Sequence, residues 1–458
     1  IYNAPAGTTS IQFRATITAN RADEVFYVDD VRLTTTSTGY GFPGNAGQWM
    51  GTISTDWNNP CNWHDRTLPV AATNVTISKA NTTINCEVYN ADAVCNNLTL
   101  TSGLSGDYDL IVRNNRTLTI NNIALIEKTG GSDNTRMRLL TSGKVLVTND
   151  VNITRSGSGK AQIIIEDNNV GIQFSCRNLT MGGTGTENAE FKHEQISPTV
   201  TVNGNLTINA GGTLDMSNGG LPNMGTLNLF GNYSSNSAES DFKQTGSTIV
   251  FRGTNNQTIN TNGFNEVFWR LTLNKPSGTV TLLDPIEIEQ EVVYTSGIMV
   301  SSNPNYLIFR DNTLALTPSH TSHTNGPVRK IGNDAFTFPV GNGTFYRSIG
   351  ISAPSNTADH FTGQFYSINP DAVDGVAVAN IEVPLTNISD CEHWILDRTN
   401  GTSNVFVTLS YEDYSINNCS GVTDPVSLKV ARWDAVAQIW RNHGGTGIGV
   451  PTGTITTA

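Results

Sequence analysis

One short segment of the chain contains the residue types that polysaccharide-cleaving enzymes use. It spans residues 187–194 (ENAEFKHE) and places acids, a base and a cation close together. If the segment is a strand, alternation puts Lys192 and Glu194 on the face opposite His193. Glycoside hydrolysis uses paired carboxylates, which such a segment could supply. The alternative, which we favour, is an ordinary solvated strand face, and we therefore expect no enzyme activity.

Further acidic residues have spacings that fit a cation or a turn. Glu287, Glu289 and Glu291 alternate, so one face of a strand would present three carboxylates to a cation or, more simply, to water. The pair at 166–167 (ED) fits a turn between strands.

Histidine and aromatic residues give weaker signals. His320 and His323 are three residues apart without a helical pattern, which is poor spacing for a metal site. Phe268 and Trp269 could stack on a sugar, although packing in a core or cap is the simpler expectation. No G-x-S-x-G elbow is present, and no P-loop lies between a predicted strand and a helix. We expect no catalytic residue and no cofactor-binding residue.

The chain contains six cysteines, namely Cys61, Cys86, Cys95, Cys176, Cys391 and Cys419. None forms a C-x-x-C pair, so a zinc site has no support from spacing. Cys391 and Cys419 bracket one predicted hairpin and are the best disulfide candidates. Cys61, Cys86 and Cys95 are close in sequence, and two of them form a second candidate pairing. The alternative for all six is a small buried apolar side chain.

The composition excludes several partners and folds. The net charge is −12 and no basic cluster is present, which argues against nucleic acid. No apolar run reaches the roughly 18 residues of a membrane-spanning helix, so we expect no membrane insertion. Charged residues are 14% of the chain, against about 25% in typical domains. Asn, Thr and Gly fill the difference, which excludes a helical bundle and indicates an all-β protein.

A short strand of the form Asn-apolar-Thr-apolar recurs between residues 74 and 316. Examples are residues 97–100 (NLTL), 178–181 (NLTM) and 205–208 (NLTI), and most spacings are 20 to 28 residues. This period predicts a parallel β-helix, a solenoid with three short strands in each of about ten turns. We expect Thr on the outer strand positions, and Asn stacked in ladders at the turns.

The predicted fold is an all-β parallel β-helix (solenoid) flanked by an N-terminal jelly-roll remnant and a C-terminal antiparallel β-sandwich. Residues 1–40 are assigned to the remnant and a linker, 41–70 to a Trp-rich cap, 71–326 to the solenoid and 327–458 to the sandwich. Residues 426–433 are a predicted sandwich strand, and Trp394, Trp433 and Trp440 are predicted core aromatics. We expect the cap and the sandwich to cover the two ends of the solenoid, because open sheet edges invite aggregation.

Several motifs are similar to those of a known protein family. They are WNNPCNW at 57–63, CNNLTL at 95–100, GNLTI at 204–208, FPVG at 338–341, WILDR at 394–398 and VARWD at 430–434. Over residues 45 to 440 the chain resembles repetitive surface proteins of Bacteroidota. Such proteins are large, are exported by the type IX secretion system and are often described as adhesins or gliding-related proteins. The resemblance implies a longer parent polypeptide and an extracellular, cell-surface location. It also implies export machinery as a partner, with surface glycans or other surface proteins as ligands.

Residues 1–33 resemble the closing strands of a jelly-roll, carbohydrate-binding-like module. In such modules an acidic pair near the last strand can hold a structural calcium, and Asp29 and Asp30 loosely match that position. The alternative is a turn at an edge strand with solvated carboxylates. Calcium is the one cofactor that the resemblance suggests.

These observations predict a non-enzymatic structural or adhesive protein whose solenoid is a rigid spacer. Two alternatives stay open. One is a polysaccharide-binding or polysaccharide-lyase-like β-helix, which a groove of acids and aromatics along one face would favour. The other is a self-assembling subunit of an extracellular filament, in which strands pair between chains.

Overall fold

Parallel strands dominate the computed structural model, which describes residues 46–166, 173–183, 188–194, 199–217, 225–236, 242–373, 375–412 and 422–458. All of these belong to the unit Gly44–Ala458. The described residues form a parallel solenoid of about nine turns followed by antiparallel sheets, which confirms the predicted all-β solenoid. The predicted jelly-roll remnant lies outside the described residues. The described helices are the α-helix Pro370–Val373 and the 3₁₀ helices Pro60–Asn62 and Pro425–Ser427.

The first face of the solenoid is a continuous parallel ladder. Register pairs such as Val75–Leu98 and Val151–Leu179 set turns of 23 to 28 residues. Its strands are Val75–Ser78, Leu98–Ser102, Ala124–Lys128, Val151–Arg155, Leu179–Gly183, Leu206–Ile208, Tyr233–Ser235, Gln257–Asn260, Thr324–Asn325 and Val340–Asn342, together with the ends of two longer strands.

Two further faces complete each turn. Second-face strands are Cys86–Val88, Tyr108–Val112, Thr135–Leu139, Ala161–Ile165, Ala189–His193, Gly212–Asp215 and Phe242–Lys243. Third-face strands are Ala93–Cys95, Thr117–Ile120, Lys144–Val147, Gln173–Cys176, Thr199–Val202, Thr226–Leu229, Thr248–Phe251 and Leu314–Leu316. The recurring Asn-apolar-Thr units therefore come from the first and third faces. The second face has a different sequence pattern.

Two long strands, Glu266–Leu282 and Ile286–Val300, each serve more than one face. The first pairs with Thr248–Phe251 of the third face and, farther along, with Gln257–Asn260 of the first face. The second follows the same path and also pairs in parallel with Leu307–Phe309. The turns are shorter in this region, because Val280 pairs with Met299, only 19 residues later in the chain.

Strand alternation gives the solenoid one core. In Leu98–Ser102, Leu98, Leu100 and Ser102 are buried, and the two threonines between them are half-buried. The same alternation recurs in most strands, because successive side chains of a strand point to opposite sides. The inward residues belong to a single apolar cluster that extends from Trp49 to Phe365. The prediction that Thr occupies outer positions is confirmed for this strand.

Asparagines before the first-face strands hydrogen-bond from one turn to the next. The backbone N–H of Asn205 donates to Asn178 Oδ1 at 2.7 Å, and that of Asn232 donates to Asn205 Oδ1 at 2.9 Å. A second ladder joins the Asn149 amide to Asn122 Oδ1 at 2.8 Å. These side chains provide acceptors for polar N–H groups in the turns, which do not take part in strand pairing. The predicted Asn ladders are therefore confirmed.

The Trp-rich module lies against the first turn. Trp63 packs edge to face on Trp49 and Trp57, with ring centroids 5.1 and 4.8 Å apart, and all three rings are fully buried. Gln48 forms a parallel bridge with Thr76 of the first face, and Asp56 forms one with Glu87 of the second. The module thus covers the N-terminal edge of the ladder.

At the other end, one strand belongs to both the solenoid and the antiparallel region. Val328–Ile331 pairs in parallel with Leu307–Phe309 and antiparallel with His360–Tyr366. His360–Tyr366 pairs in turn with His393–Asn400. Parallel pairing also continues to Val340–Asn342, past residue 326, where the solenoid was predicted to end. The two regions are therefore joined by shared strands.

A second antiparallel sheet packs on this one and completes the sandwich. Its strands are Phe336–Phe338, Ile349–Ile351, Val407–Tyr411 and Gly453–Thr456. A Cβ at Gly363 would lie 3.0 Å from Phe338 and 3.1 Å from Ile349, so the two sheets are in close contact there. The short strand Phe345–Tyr346 pairs with Val340–Asn342.

The predicted strand at residues 426–433 is wrong. Asp424 caps a 3₁₀ helix over Pro425–Ser427, and a strand begins only at Ala431–Asp434, where it forms a hairpin with Ile439–Asn442. Trp433 and Trp440 pack on each other in this hairpin, 5.7 Å apart, and lie outside the main core. Trp394 is half-buried against Phe365, at 5.5 Å.

The Asn ladder predicts a specific cost for losing one amide. We expect Asn205→Ala to lower the free energy of unfolding by about 0.5–1.5 kcal/mol, because the Asn232 N–H would lose its acceptor. Asn205 has ordinary backbone angles, so alanine adds no strain. Chemical denaturation measures the change. Asn81→Ala is the control, because the Asn81 side chain makes no hydrogen bond with described residues. Equal losses in both variants would contradict the ladder.

Candidate functional site

The second face carries charged side chains that the repeat pattern did not reveal. Arg136 and Arg138 point outward from one strand, and Asp109 lies one turn earlier, in register with Arg136. Asp109 lies 2.7 Å from Arg136 Nε and 3.2 Å from Arg138 Nη1. Arg138 also pairs with Glu166 at 2.5 Å, and this hydrogen bond raises the pKa of Arg138.

These ion pairs align successive turns. Asp109 is 3% exposed, so the Coulombic attraction in these ion pairs is offset by the cost of removing the charges from water, and the pairs are weak evidence of net stabilisation. A shift by one residue, however, would turn the charges into the core. The strand containing Arg136 and Arg138 has the sequence TRMRL. Its alternation of charged and apolar residues is the sequence signal that indicates a charged outer face. The partner of each arginine was not evident, because it lies a full turn away.

The segment predicted as a possible catalytic cluster lies on this face. In Ala189–His193, His193 points into the core and Lys192 points outward, as alternation predicts. Lys192 Nζ lies 2.8 Å from Glu194 Oε1. The cation is thus already paired with the nearest carboxylate. Glu187 lies outside the described residues.

The carboxylates nearest this segment are closed to solvent. Glu190 is 2% exposed and Asp215, one turn later, is 7% exposed. Glu190 accepts a hydrogen bond from Gln162 and lies 3.5 Å from Lys160 Nζ. Burial raises the pKa of Asp215. Glu190 and Asp215 are therefore closed to a polymer substrate, whereas the paired Lys192 and Glu194 side chains are 30% and 39% exposed.

His193 is a core residue. Its ring is fully buried and packs edge to face on Phe191, with centroids 5.7 Å apart. Neither ring nitrogen has a hydrogen-bond partner among the described residues. Burial lowers the pKa of His193 to about 3, so the ring is neutral near pH 7.

The prediction that Glu287, Glu289 and Glu291 share one strand face is wrong, because the strand changes register after Ile288 and Glu291 pairs with Leu314 of the third face. Arginines take the place of the suggested cation. Arg310 lies 2.5 Å from Glu287 and 2.6 Å from Glu289. Arg270 lies 3.2 Å from Glu291. All three carboxylates therefore have protein partners.

His320 and His323 have separate partners where the solenoid meets the antiparallel sheets. The Tyr346 N–H donates to His320 Nδ1 at 3.2 Å, and His320 Nε2 lies 2.6 Å from Glu412. His323 Nδ1 lies 2.9 Å from the Ser319 carbonyl oxygen. The two rings therefore do not form a joint metal site.

A buried arginine lies beside His320. Arg347 is 1% exposed, with Nη1 3.0 Å from Glu412 and Nε 3.3 Å from Glu392. Burial raises the pKa of Glu392. The Trp394 indole N–H donates to the Arg347 carbonyl oxygen at 3.2 Å. Breaking such a buried network is costly, so we assign it a structural role at the junction.

Buried lysines, which sequence reasoning missed, bind turn carbonyls inside the solenoid. Lys128 Nζ donates to the Leu104 carbonyl oxygen at 2.8 Å. Lys275 Nζ donates to the Asn255 carbonyl oxygen at 2.8 Å and to Gln257 Oε1 at 2.5 Å. Burial lowers the pKa of Lys275 to about 8. These lysine amines thereby provide hydrogen bonds for backbone carbonyl groups that point into the solenoid.

The structure distinguishes the cysteine candidates. Cys391 is disulfide-bonded. Cys419, its predicted partner, lies outside the described residues. Cys61, Cys86 and Cys95 are free thiols, so the suggested pairing among them is not formed. Burial raises the pKa of Cys95 to about 12, as fits a small apolar core residue.

The described residues form neither a metal-binding cluster nor an exposed aromatic pair at Phe268 and Trp269. Among the described residues, no three His, Cys, Asp or Glu side chains are grouped to hold a metal ion. Asp29 and Asp30 lie outside the described residues. Phe268 packs in the core on Tyr233 and Phe242, and Trp269 is half-buried. No helix in the described part of the chain is long and apolar enough to cross a membrane.

The chain was compared with protein-family models, curated proteins and solved structures, and none of the three comparisons found a match.

Buried neutral His193 predicts a pH-dependent loss of stability. Its folded pKa lies below the unfolded value of about 6.5, so its stabilisation is complete above pH 6.5 and is lost as the pH falls towards 3. The unfolding free energy of the wild-type protein should fall between pH 7 and pH 4. We expect this fall to be smaller in His193→Leu by on the order of 3 kcal/mol, because the variant has no buried imidazole to protonate.

Denaturant unfolding at the two pH values tests this. His443→Leu is the matched control, because it makes the same substitution at an exposed histidine outside the core. An unchanged pH dependence in His193→Leu would show that His193 is not the group responsible.

Proposed function

We propose that this chain is a non-enzymatic structural and adhesive protein of the cell exterior, in which the solenoid is a rigid spacer. The observation that supports this most strongly is the unbroken parallel ladder of the first face, from Val75–Ser78 to Val340–Asn342. Each turn contacts only its neighbours, so length is set by the number of turns.

Two observations support an extracellular location. Cys391 is disulfide-bonded, and disulfides persist mainly in oxidising compartments. The motifs at residues 57–63 and 394–398 resemble surface proteins of Bacteroidota exported by the type IX secretion system. Export machinery, surface glycans and other surface proteins are the partners that this proposal includes.

The state of the charged residues favours a non-enzymatic role. Lys192 is paired with Glu194, and Glu190 is almost fully buried. A lyase or hydrolase would need an open pair of acidic groups, and of the carboxylates in this segment Glu190 is buried and Glu194 is already paired with a lysine. The filament alternative has less support, because the Trp-rich module and the shared strand Val328–Ile331 occupy the two edges of the ladder.

Force measurement tests the spacer role. Handles attached at Ile53 and Val436, which are 65% and 97% exposed, allow the chain to be stretched in an optical trap. We expect the length to stay constant until whole turns unfold, because first-face strands such as Leu206–Ile208 are hydrogen-bonded to the turn before and the turn after them. An immunoglobulin-like domain in the same tether is the reference. Gradual lengthening below the force that unfolds the reference would contradict the spacer role, and polysaccharide cleavage by the purified chain would contradict the non-enzymatic role.

A further inference from the structure

A groove follows one corner of the solenoid where the third face ends. Leu229, Phe251, Leu273 and Tyr294 are in register on successive turns. Just after them, four outward residues form a row along the solenoid axis, namely Phe230, Arg252, Asn274 and Ser296. Gly253, Thr254 and Pro276 complete a cavity of about 560 Å³.

The groove contains an aromatic side chain outside the core. Phe230 is half-buried and does not belong to the apolar core cluster. Gly253, with φ of +91°, lies against it, and a Cβ at Gly253 would be 3.4 Å from Phe230 Cδ1. Glycine is favoured here because of this left-handed backbone angle, and its backbone borders the ring in the groove.

The groove also contains a cation, Arg252, that has no carboxylate partner among the described residues. Arg252 Nε donates to Asn228 Oδ1 at 2.6 Å, which fixes the guanidinium. Among the described residues, no carboxylate lies within ion-pair distance of Arg252, whereas Arg270 on the same face pairs with Glu291. No acidic side chain lines the groove. A fixed guanidinium of this kind suits a planar anionic group such as a carboxylate.

We propose that this groove binds a linear acidic oligosaccharide that lies along the solenoid axis. Phe230 would pack on a sugar ring, and Arg252 would bind an acidic substituent. Asn274, Ser296 and Thr254 would hydrogen-bond to hydroxyl groups. Turns are about 4.8 Å apart, so the row extends for roughly 14 Å, which accommodates more than one sugar ring. Because the described lining residues include no carboxylate, we expect the groove to bind sugar without cleaving it.

This inference specifies the ligand class of the adhesive role and rests on that part of the proposed function. Isothermal titration calorimetry on the full chain tests it with three hexasaccharides: a uronate, a sulfated sugar and an uncharged glucan. We expect the acidic sugars to bind and the glucan to bind at least tenfold more weakly. Arg252→Gln should weaken acidic-sugar binding about tenfold or more, because it removes a charged hydrogen bond. Phe230→Ala should weaken it several-fold.

Arg113→Gln is the matched control, since it removes the same charge from a different part of the solenoid, where Arg113 pairs with Glu87 at 2.7 Å. Thermal unfolding should be nearly unchanged in the groove variants, because neither side chain belongs to the core. A uronate that binds more tightly than the sulfated sugar would identify the acidic group as a carboxylate, and the reverse order would identify a sulfate. The proposal is overturned if neither acidic sugar binds, if the glucan binds equally well, or if Arg252→Gln and Arg113→Gln behave alike. In each of those cases the spacer role, which the force measurement tests, still stands.

Discussion

The backbone of each solenoid turn completes its hydrogen bonds with the turns before and after it, and the rest of the structure depends on this constraint. An unpaired strand edge exposes a row of amides and carbonyls, so both ends of a parallel ladder must be covered. At the N-terminal end, Gln48 and Asp56 bridge to the first two strands, and the three Trp rings close the core. At the other end, Val328–Ile331 changes its partner from a parallel to an antiparallel strand. The second face of the solenoid thus continues directly into the sandwich through this strand.

The same constraint explains the composition. Inward positions must be apolar, and turn positions must satisfy backbone groups that the strands do not reach. The Asn178–Asn205–Asn232 ladder does this outside the core, and buried Lys128 and Lys275 do it inside. Ion pairs such as Arg136 with Asp109 join successive turns on the second face. The charged residues that first suggested chemistry are largely used in this way. The groove beside Phe230 and Arg252 differs, since it has an aromatic ring and a cation that the packing does not use.

Local pattern was sufficient to predict much of the fold. The Asn-apolar-Thr repeat predicted the solenoid and its Asn ladders, and alternation placed His193 inside and Lys192 outside. What depends on register could not be predicted. Asp109 and Arg136 meet only because one turn has a particular length, and turn lengths vary from 19 residues between Val280 and Met299 to 28 between Val151 and Leu179. The groove has the same origin, because Phe230 and Ser296 are three turns apart. The strand predicted at 426–433 failed because Asp424 and Pro425 start a 3₁₀ helix, which local β-propensity does not reveal.

Deletion of one complete turn tests the central claim, that the turns are stacked units in register. Removing residues 206–232 joins Asn205 to Tyr233, which replaces Leu206 at the same position of the ladder. The account predicts a folded protein with one cooperative unfolding transition, because the turns on either side would pair as their neighbours do now. A deletion of residues 206–219, roughly half a turn, should prevent folding, because it moves the following strands to the wrong face. If circular dichroism and thermal unfolding show that both deletions unfold the protein equally, or that both are tolerated, the account is contradicted.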